Sequence, residues 1–220
     1  MENKSSLKTM LKEAGILFAI TLISGLLLGV VFEMTKEPIR IQQEKAIQEA
    51  CAAAFPNSEE GVDFVFQPTE YVPDETMVNE LAADGVSIGN VFTVTAGDRN
   101  YGFVIESKSK NGYGGNILLY VGVASDGTVQ GVSILELSET PGLGMEAPKV
   151  LVPQFAGRNA ESFVYTKTGA AAENEVDAIT SATITTTAVV DAVNGGVRTA
   201  RYLIENGDQA IIEIGGGANE

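Results

Sequence analysis

The sequence predicts an α+β protein with one N-terminal transmembrane helix followed by a domain built on a mostly antiparallel twisted sheet with packed helices. Three observations carry this expectation. The 19 residues from Ala14 to Phe32, AGILFAITLISGLLLGVVF, hold no charge, and that length matches a hydrocarbon core of roughly 30 Å. Four β-rich runs separated by Gly, Asn and Asp follow between residues 87 and 137. A run of small hydroxyl residues, DAITSATITT at 177–186, then stands directly before a stretch with helical character.

Taken in order, the elements begin with Lys4, Lys8 and Lys12 ahead of the apolar run. The preference for basic residues on the inner side places residues 1–13 in the cytoplasm and the chain beyond about residue 34 outside. The apolar run exceeds a signal-peptide core and no small-x-small cleavage site follows it. Past it, IRIQQEKAIQEACAAAFP combines strong helix formers with near i, i+3, i+4 apolar spacing, a stalk helix that either starts at Pro38 or continues from the span and that Pro56 ends. The expected division is a stub at 1–13, a span at 14–34, a stalk at 35–56 and the main domain at 57–220.

Within that domain, GVDFVFQP alternates as a short strand, and DETMVNELAAD opens a short helix with an acid at the cap position. SIGNVFTVTAG, NYGFVIESKS, NILLYVGVAS and TVQGVSILELS read as an antiparallel meander, with SDG at 125–127 the clearest hairpin signal. A mixed stretch around APKVLVPQFAG, a strand SFVYTK, an acidic small-residue loop TGAAAENEVD and a helix from about Thr185 to Asn206 complete the chain.

Composition narrows the chemistry. At 220 residues and 45% hydrophobic, the chain can bury one or two ordinary cores. Its 14 Lys and Arg against 29 Asp and Glu give a net charge of −15, which argues against nucleic acid because phosphate contacts rely on basic side chains. The chain has no His and one Cys, Cys51. A His-ligated haem, a His-based zinc site and a Cys-ligated iron–sulfur cluster built from this chain alone are thereby excluded. Redox chemistry here would need an organic cofactor.

Three local patterns stand out. Thr180, Ser181, Thr183, Thr185, Thr186 and Thr187 are more hydroxyls than one helix start needs for capping, although any one of them reads most simply as an N-cap. The same helix start is a ready site for a phosphate, whose charge its free N–H groups and dipole would favour. SETPGLGM at 138–145 sets a rigid Pro141 beside Gly142 and Gly144 around Leu143, so that backbone can approach a flat partner; on its own it reads first as a plain tight turn. NGYGGN at 111–116, holding Tyr113, is a second glycine-rich loop whose bland reading is a strand connection.

In this order, the charged stub, the single span, GYGG, the DG hairpin, ETPGLG and D-x-x-T-S-A-T ahead of a helix resemble the G subunit of the Rnf electron transport complex, related to the C subunit of sodium-translocating NADH:quinone reductase. The resemblance covers nearly the whole chain. It implies an extracytoplasmic FMN-binding domain in which the last Thr of a motif written D-x-x-(S/T)-G-A-(S/T) carries FMN through a phosphoester, attached by a separate flavin transferase. That position here is Thr183, with Asp177, Thr180 and Ala182 matching the motif and Ser181 standing where its commoner form has Gly. The resemblance also implies that Glu139, Thr140, Gly142, Leu143 and Gly144 lie against the flavin, with Tyr113, Thr180, Ser181 and Ala182 counted among the cofactor-binding residues. No catalytic acid or base and no metal ligand is expected. The implied role is an electron-relay subunit of an ion-translocating ferredoxin:NAD oxidoreductase, in a single-pass arrangement beside other membrane subunits and without substrate turnover of its own.

Two other readings remain open from the residues alone. One is a membrane-anchored accessory, assembly or ligand-binding module without redox chemistry. The other, a hydrolase using Ser181 or Thr183 as its own nucleophile, lacks any His or triad-like spacing.

Overall fold

The computed structural model describes residues 3–56 and 62–212, with side chains described for residues 9–56 and 62–207. The chain divides into two units, Met1–Ala46 and Ile47–Glu220.

Most of the first unit is helix α1, Asn3–Ala54, which runs 52 residues. An 18-residue window within it has a mean hydropathy of 2.5 with none of it buried, so this helix is long and apolar enough to cross a membrane. Its exposed apolar side chains project on every face, as Leu17, Phe18, Leu26 and Leu27 illustrate, the pattern of a helix surrounded by lipid rather than one packed on a core along a single stripe. Thr21 Oγ1 returns to the Leu17 and Phe18 carbonyls, and Thr35 Oγ1 to those of Val31 and Phe32. These hydroxyls therefore find acceptors within their own helix. Pro38 lies inside α1 rather than at its start. From Asn3 to Ala54 the segments expected as stub, span and stalk form one continuous helix, in which Arg40 pairs with Glu37 and Glu44 beside Pro38.

The second unit is organised by strand periodicity. Strands β1 (Val65–Tyr71), β2 (Val86–Ala96), β3 (Arg99–Ser109), β4 (Ile117–Ala124), β5 (Val129–Glu136) and β8 (Ile211–Ile212) form one sheet in the order β5-β4-β3-β2-β1-β8. Every pairing in it is antiparallel. Because side chains alternate across a strand, Phe103, Ile105, Leu119, Val121 and Val123 enter one core. Val104 and Tyr120 enter the other with Phe92 and Val94. The first core is closed by helix α4, Thr183–Ala210, through Ala188, Val189, Ala192, Val193, Val197 and Ala200. The second is closed by the last turns of α1 through Ala50, Cys51, Ala54 and Phe55.

The half-buried Glu106 carboxylate meets the second core at Tyr120. Its Oε2 accepts from Tyr120 Oη at 3.0 Å and from Asn90 Nδ2 at 2.6 Å. Burial, and secondarily the charge of Glu106, push the Cys51 thiol up to about 12.

The meander, its Ala124–Thr128 turn and the short helix α2 (Glu75–Ala83) match the sequence expectations, and Asp74 Oδ1 caps α2 by accepting from Met77 N at 2.8 Å. The mixed stretch resolves into helix α3, Ala147–Val150, between two 3-10 turns. The acidic loop contains an unanticipated strand, β7 (Glu175–Asp177), parallel to β6 (Val164–Thr166). Its carboxylates tie the loop together: Glu175 Oε2 accepts from Ala171 N at 2.8 Å and Asp177 Oδ1 from Ala170 N at 2.7 Å. Helix α4 begins at Thr183, two residues before the expected start. Asn206, the expected end, marks a break in its geometry at φ −121° and ψ 18°.

Candidate cofactor site

Ser109 pairs with Ile117 and Leu118 pairs with Glu136, so the glycine loop between β3 and β4 leaves the same end of the sheet as the ETPGLG segment after β5. The N-terminus of α4 also reaches that end. Between the three lies a cavity of about 500 Å³, lined by Tyr113 from the first loop, Glu139, Thr140, Leu143 and Gly144 from the second, and the run 181–185 from the third. That volume is ordinary for a small-molecule site.

Each loop has a local reason for its shape. In ETPGLG, Leu143 N and Met145 N both donate to the Thr140 carbonyl, at 3.1 and 3.2 Å, folding the segment into a tight bend, while Gly142 takes the left-handed conformation at φ 75°. In the threonine segment, Ala182 N donates to Ile179 O at 3.1 Å and Ser181 sits at φ 62°. Among the described residues, Ser181 is the one non-glycine residue in that region. The motif's commoner Gly at this position has a backbone reason: L side chains enter the left-handed region at a cost.

The hydroxyl surplus sorts by partner. Thr186 Oγ1 donates to Ala182 O at 2.9 Å and accepts from Ile179 N at 3.1 Å, stapling the turn to the helix. Thr187 Oγ1 returns to Thr183 O at 2.9 Å. Thr185 Oγ1 donates to Glu139 Oε2 at 3.1 Å. Thr183 and Ser181 line the cavity, and their hydroxyls have no hydrogen-bond partner among the described residues. Thr183 is the first residue of a 28-residue helix, whose opening N–H groups lack carbonyls one turn back.

Of the residues singled out from sequence, Tyr113, Glu139, Thr140, Leu143, Gly144, Ser181, Ala182 and Thr183 line this one cavity, whereas Gly142 and Thr180 do not. Gly142 shapes the bend from behind. The motif's Asp177 is committed to the loop at Ala170, and its backbone is held by the Gln154 amide, with Asp177 N to Gln154 Oε1 at 2.7 Å. Ile184 and Thr185 complete the wall without having been assigned to it. Ile184 is 53% exposed on the first turn of the helix, an apolar residue out of phase with the core stripe, which is the signal that would have found it.

The lining carries Glu139 and no Lys or Arg. A phosphate held here would therefore rest on the backbone N–H groups and dipole of α4 rather than on side-chain cations. Tyr113, Leu143 and Ile184 supply apolar surface for a planar ring, and the unpartnered Thr183 hydroxyl lies at the anion-favouring end. These residues fit a phosphate-bearing aromatic cofactor.

Comparison with known proteins agrees. The FMN-binding domain family matches residues 112–198, a span that includes every residue lining the cavity, and the RnfG N-terminal region matches residues 1–52. The G subunit of the Na(+)-translocating ferredoxin:NAD(+) oxidoreductase complex of Acetobacterium woodii is 28% identical over 199 residues, covering 89% of this chain and 94% of that protein. The G subunit of the ion-translocating oxidoreductase complex of Methanosarcina acetivorans is 32% identical, covering 81% and 87%. Its counterpart in Salmonella typhimurium is 31% identical, covering 85% and 89%. The fold is shared with crystal structures of Shewanella oneidensis NqrC (20% identity, TM-score 0.51, 75% of this chain and 99% of that one) and of the C subunit of the Na(+)-translocating NADH-quinone reductase from Parabacteroides distasonis (20%, 0.52, 76% and 95%). With an RnfG-type N-terminal helix, an FMN-binding domain and near full-length similarity to these proteins, the chain belongs to the family of G subunits of ion-translocating (Rnf) oxidoreductase complexes.

Proposed function

We propose that this chain is an electron-transport subunit of a membrane-bound ferredoxin:NAD oxidoreductase complex, carrying FMN in the cavity through a phosphoester to Thr183 Oγ1. The single observation that carries the reading is Thr183: it lines the cavity with a hydroxyl that has no partner among the described residues, at the N-terminus of α4, inside the stretch matched by the FMN-binding domain family. When bound, FMN would supply the redox chemistry. The chain's own residues position it.

Thr183 supplies the ester oxygen, and α4 favours the phosphate charge that the ester retains. Tyr113, Leu143 and Ile184 offer surface to the ring, while Thr140 holds a hydroxyl free toward the cavity. No base among the lining residues is aimed at Thr183, so esterification is assigned to a separate flavin transferase. Lys4, Lys8 and Lys12 support an inner N-terminus and a main domain on the outer side. There a covalent tether keeps the cofactor bound at any external concentration. The segments 1–13, 14–34, 35–56 and 57–220 then serve as stub, span, stalk and flavin domain along the continuous helix and the sheet. Other membrane subunits of the complex supply and accept the electrons.

The test is the intact mass of the full chain produced with an active flavin transferase. One FMN increment is expected, along with flavin fluorescence that survives denaturing electrophoresis; both vanish in Thr183→Val. A wild-type chain weighing only its amino acids would end this reading and return the accessory-module alternative.

A further inference from the structure

Three loops far apart in sequence must keep a fixed register for the cavity to exist, and one side chain joins them. Glu139 Oε1 accepts from the backbone N–H of Gly114 at 3.3 Å, and Oε2 accepts from Thr185 Oγ1 at 3.1 Å; these contacts span 25 and 46 residues of sequence. Thr185 is buried, so its hydroxyl has no solvent to replace the carboxylate. Glycines clear the space on both sides. A β-carbon at Gly112 would fall 2.8 Å from Glu139 Oε1, and one at Gly144 would fall 2.8 Å from Glu139 Cβ and 2.9 Å from Oε2.

We propose that Glu139 is a positioning residue, a brace that fixes the first turn of α4 and the glycine loop relative to each other rather than a hydrogen-bond partner of the ligand. Through Thr185 it sets the pose of Thr183 two residues earlier. Through Gly114 it sets that of Tyr113, whose ring stands 70% exposed at the cavity. Both carboxylate oxygens have protein donors, and no Lys or Arg in the lining competes for them. The identity of the ligand rests on the flavin reading. The brace itself rests on the contacts.

Two readouts on the full chain in detergent test it. The first needs no flavin: chymotrypsin cleavage after Tyr113, in protein made without the transferase. Glu139→Ala is expected to be cut several-fold faster than wild type. Glu139→Gln can keep both contacts, its carbonyl accepting from Gly114 and its amide donating to the Thr185 hydroxyl, and is expected to return the rate to within about two-fold of wild type.

The second readout is iodide quenching of covalently bound flavin, expected to rise several-fold in Glu139→Ala and to recover in Glu139→Gln. If Glu139→Ala does not fold, Thr185→Val takes its place and is expected to show raised quenching, while Glu139→Gln matches wild type. Cleavage and quenching in the Ala or Val variant equal to wild type would overturn the brace. So would a Gln variant as loosened as the Ala variant, which would assign the effect to charge. A wild-type chain that never gains flavin mass sinks the flavin reading but leaves the proteolysis result to judge the brace.

Discussion

Gly122 and Gly131 face each other across β4 and β5, and the Ala54 carbonyl at the end of α1 lies directly over the pair. Neither position leaves room for a side chain. A β-carbon at Gly122 would collide with Ala54 O, and one at Gly131 would sit 3.0 Å from it. This glycine notch lets the helix end settle against the sheet at backbone distance and brings Cys51 and Phe55 into the core beneath it.

Gly122→Ala is therefore expected to destabilise the domain by about 1–3 kcal/mol, the range for forcing extra volume into a packed site. Gly131→Ala should cost less, since a shift of a few tenths of an ångström relieves its contact. Urea unfolding of the full chain in detergent checks the ranking, which equal midpoints for the two variants would contradict.

Gly144 is the corresponding close approach at the cofactor site. Its added β-carbon would stand 2.5 Å from Thr185 Oγ1, so Gly144→Ala must displace either the first turn of α4 or the ETPGLG bend. Covalent flavin, read by intact mass after production with the transferase, is expected to fall several-fold while circular dichroism stays near wild type.

Ser181 holds a left-handed conformation at φ 62°. Ser181→Gly removes a strain of roughly 1–2 kcal/mol per residue and adds back about 0.4–1 kcal/mol of chain entropy. A net gain of up to about 1.6 kcal/mol follows, with flavin loading no lower than wild type. Ser181→Val, β-branched and therefore a worse fit to positive φ, is expected to lose stability and loading together. A Gly variant less stable than wild type in thermal unfolding would show that the serine conformation carries no strain.

Cys51 is buried at 0% exposure, and its thiol is raised to about 12 by burial and then by Glu106. At pH 8 the native protein should resist alkylation by iodoacetamide and react only on unfolding, because the thiolate is the reactive form. The sign for stability follows from proton binding. Between the ordinary thiol value and about 12 the native state keeps a proton that the unfolded chain releases, so this group's contribution is full at neutral pH and declines as pH rises through that window. Cys51→Ala should flatten the alkaline limb of a stability curve, and an unchanged slope would discount the buried thiol.

Much of the architecture can be read along the chain. Runs rich in β-branched and aromatic residues, separated by Gly, Asn and Asp, placed β2 through β5, the SDG turn joined β4 to β5, and Asp74 stood where α2 needed a cap. Strands β7 and β8 escaped notice because pairs of two or three residues have no period to detect. Their strand character comes from β6 and β1 alongside them. Helix α4 begins before its expected start because the left-handed turn at Ser181 ends the loop earlier than a count of hydroxyls suggests.

What the sequence by itself determined is the apolar helix, the antiparallel meander and the presence of a threonine-rich helix start, since charge, periodicity and local capping chemistry are all written in neighbouring residues. Residue chemistry alone did not separate Thr183 from Thr185, Thr186 and Thr187; the motif resemblance singled out Thr183 but gave none of the four hydroxyls a hydrogen-bond partner. Only the tertiary structure sorted those hydroxyls, by bringing Glu139 against Thr185 and folding Thr186 and Thr187 back on their own helix while Thr183 faces open space. The physical reason is that a hydroxyl's role depends on which acceptor lies within about 3 Å, and an acceptor 46 residues away in sequence is brought there by the sheet.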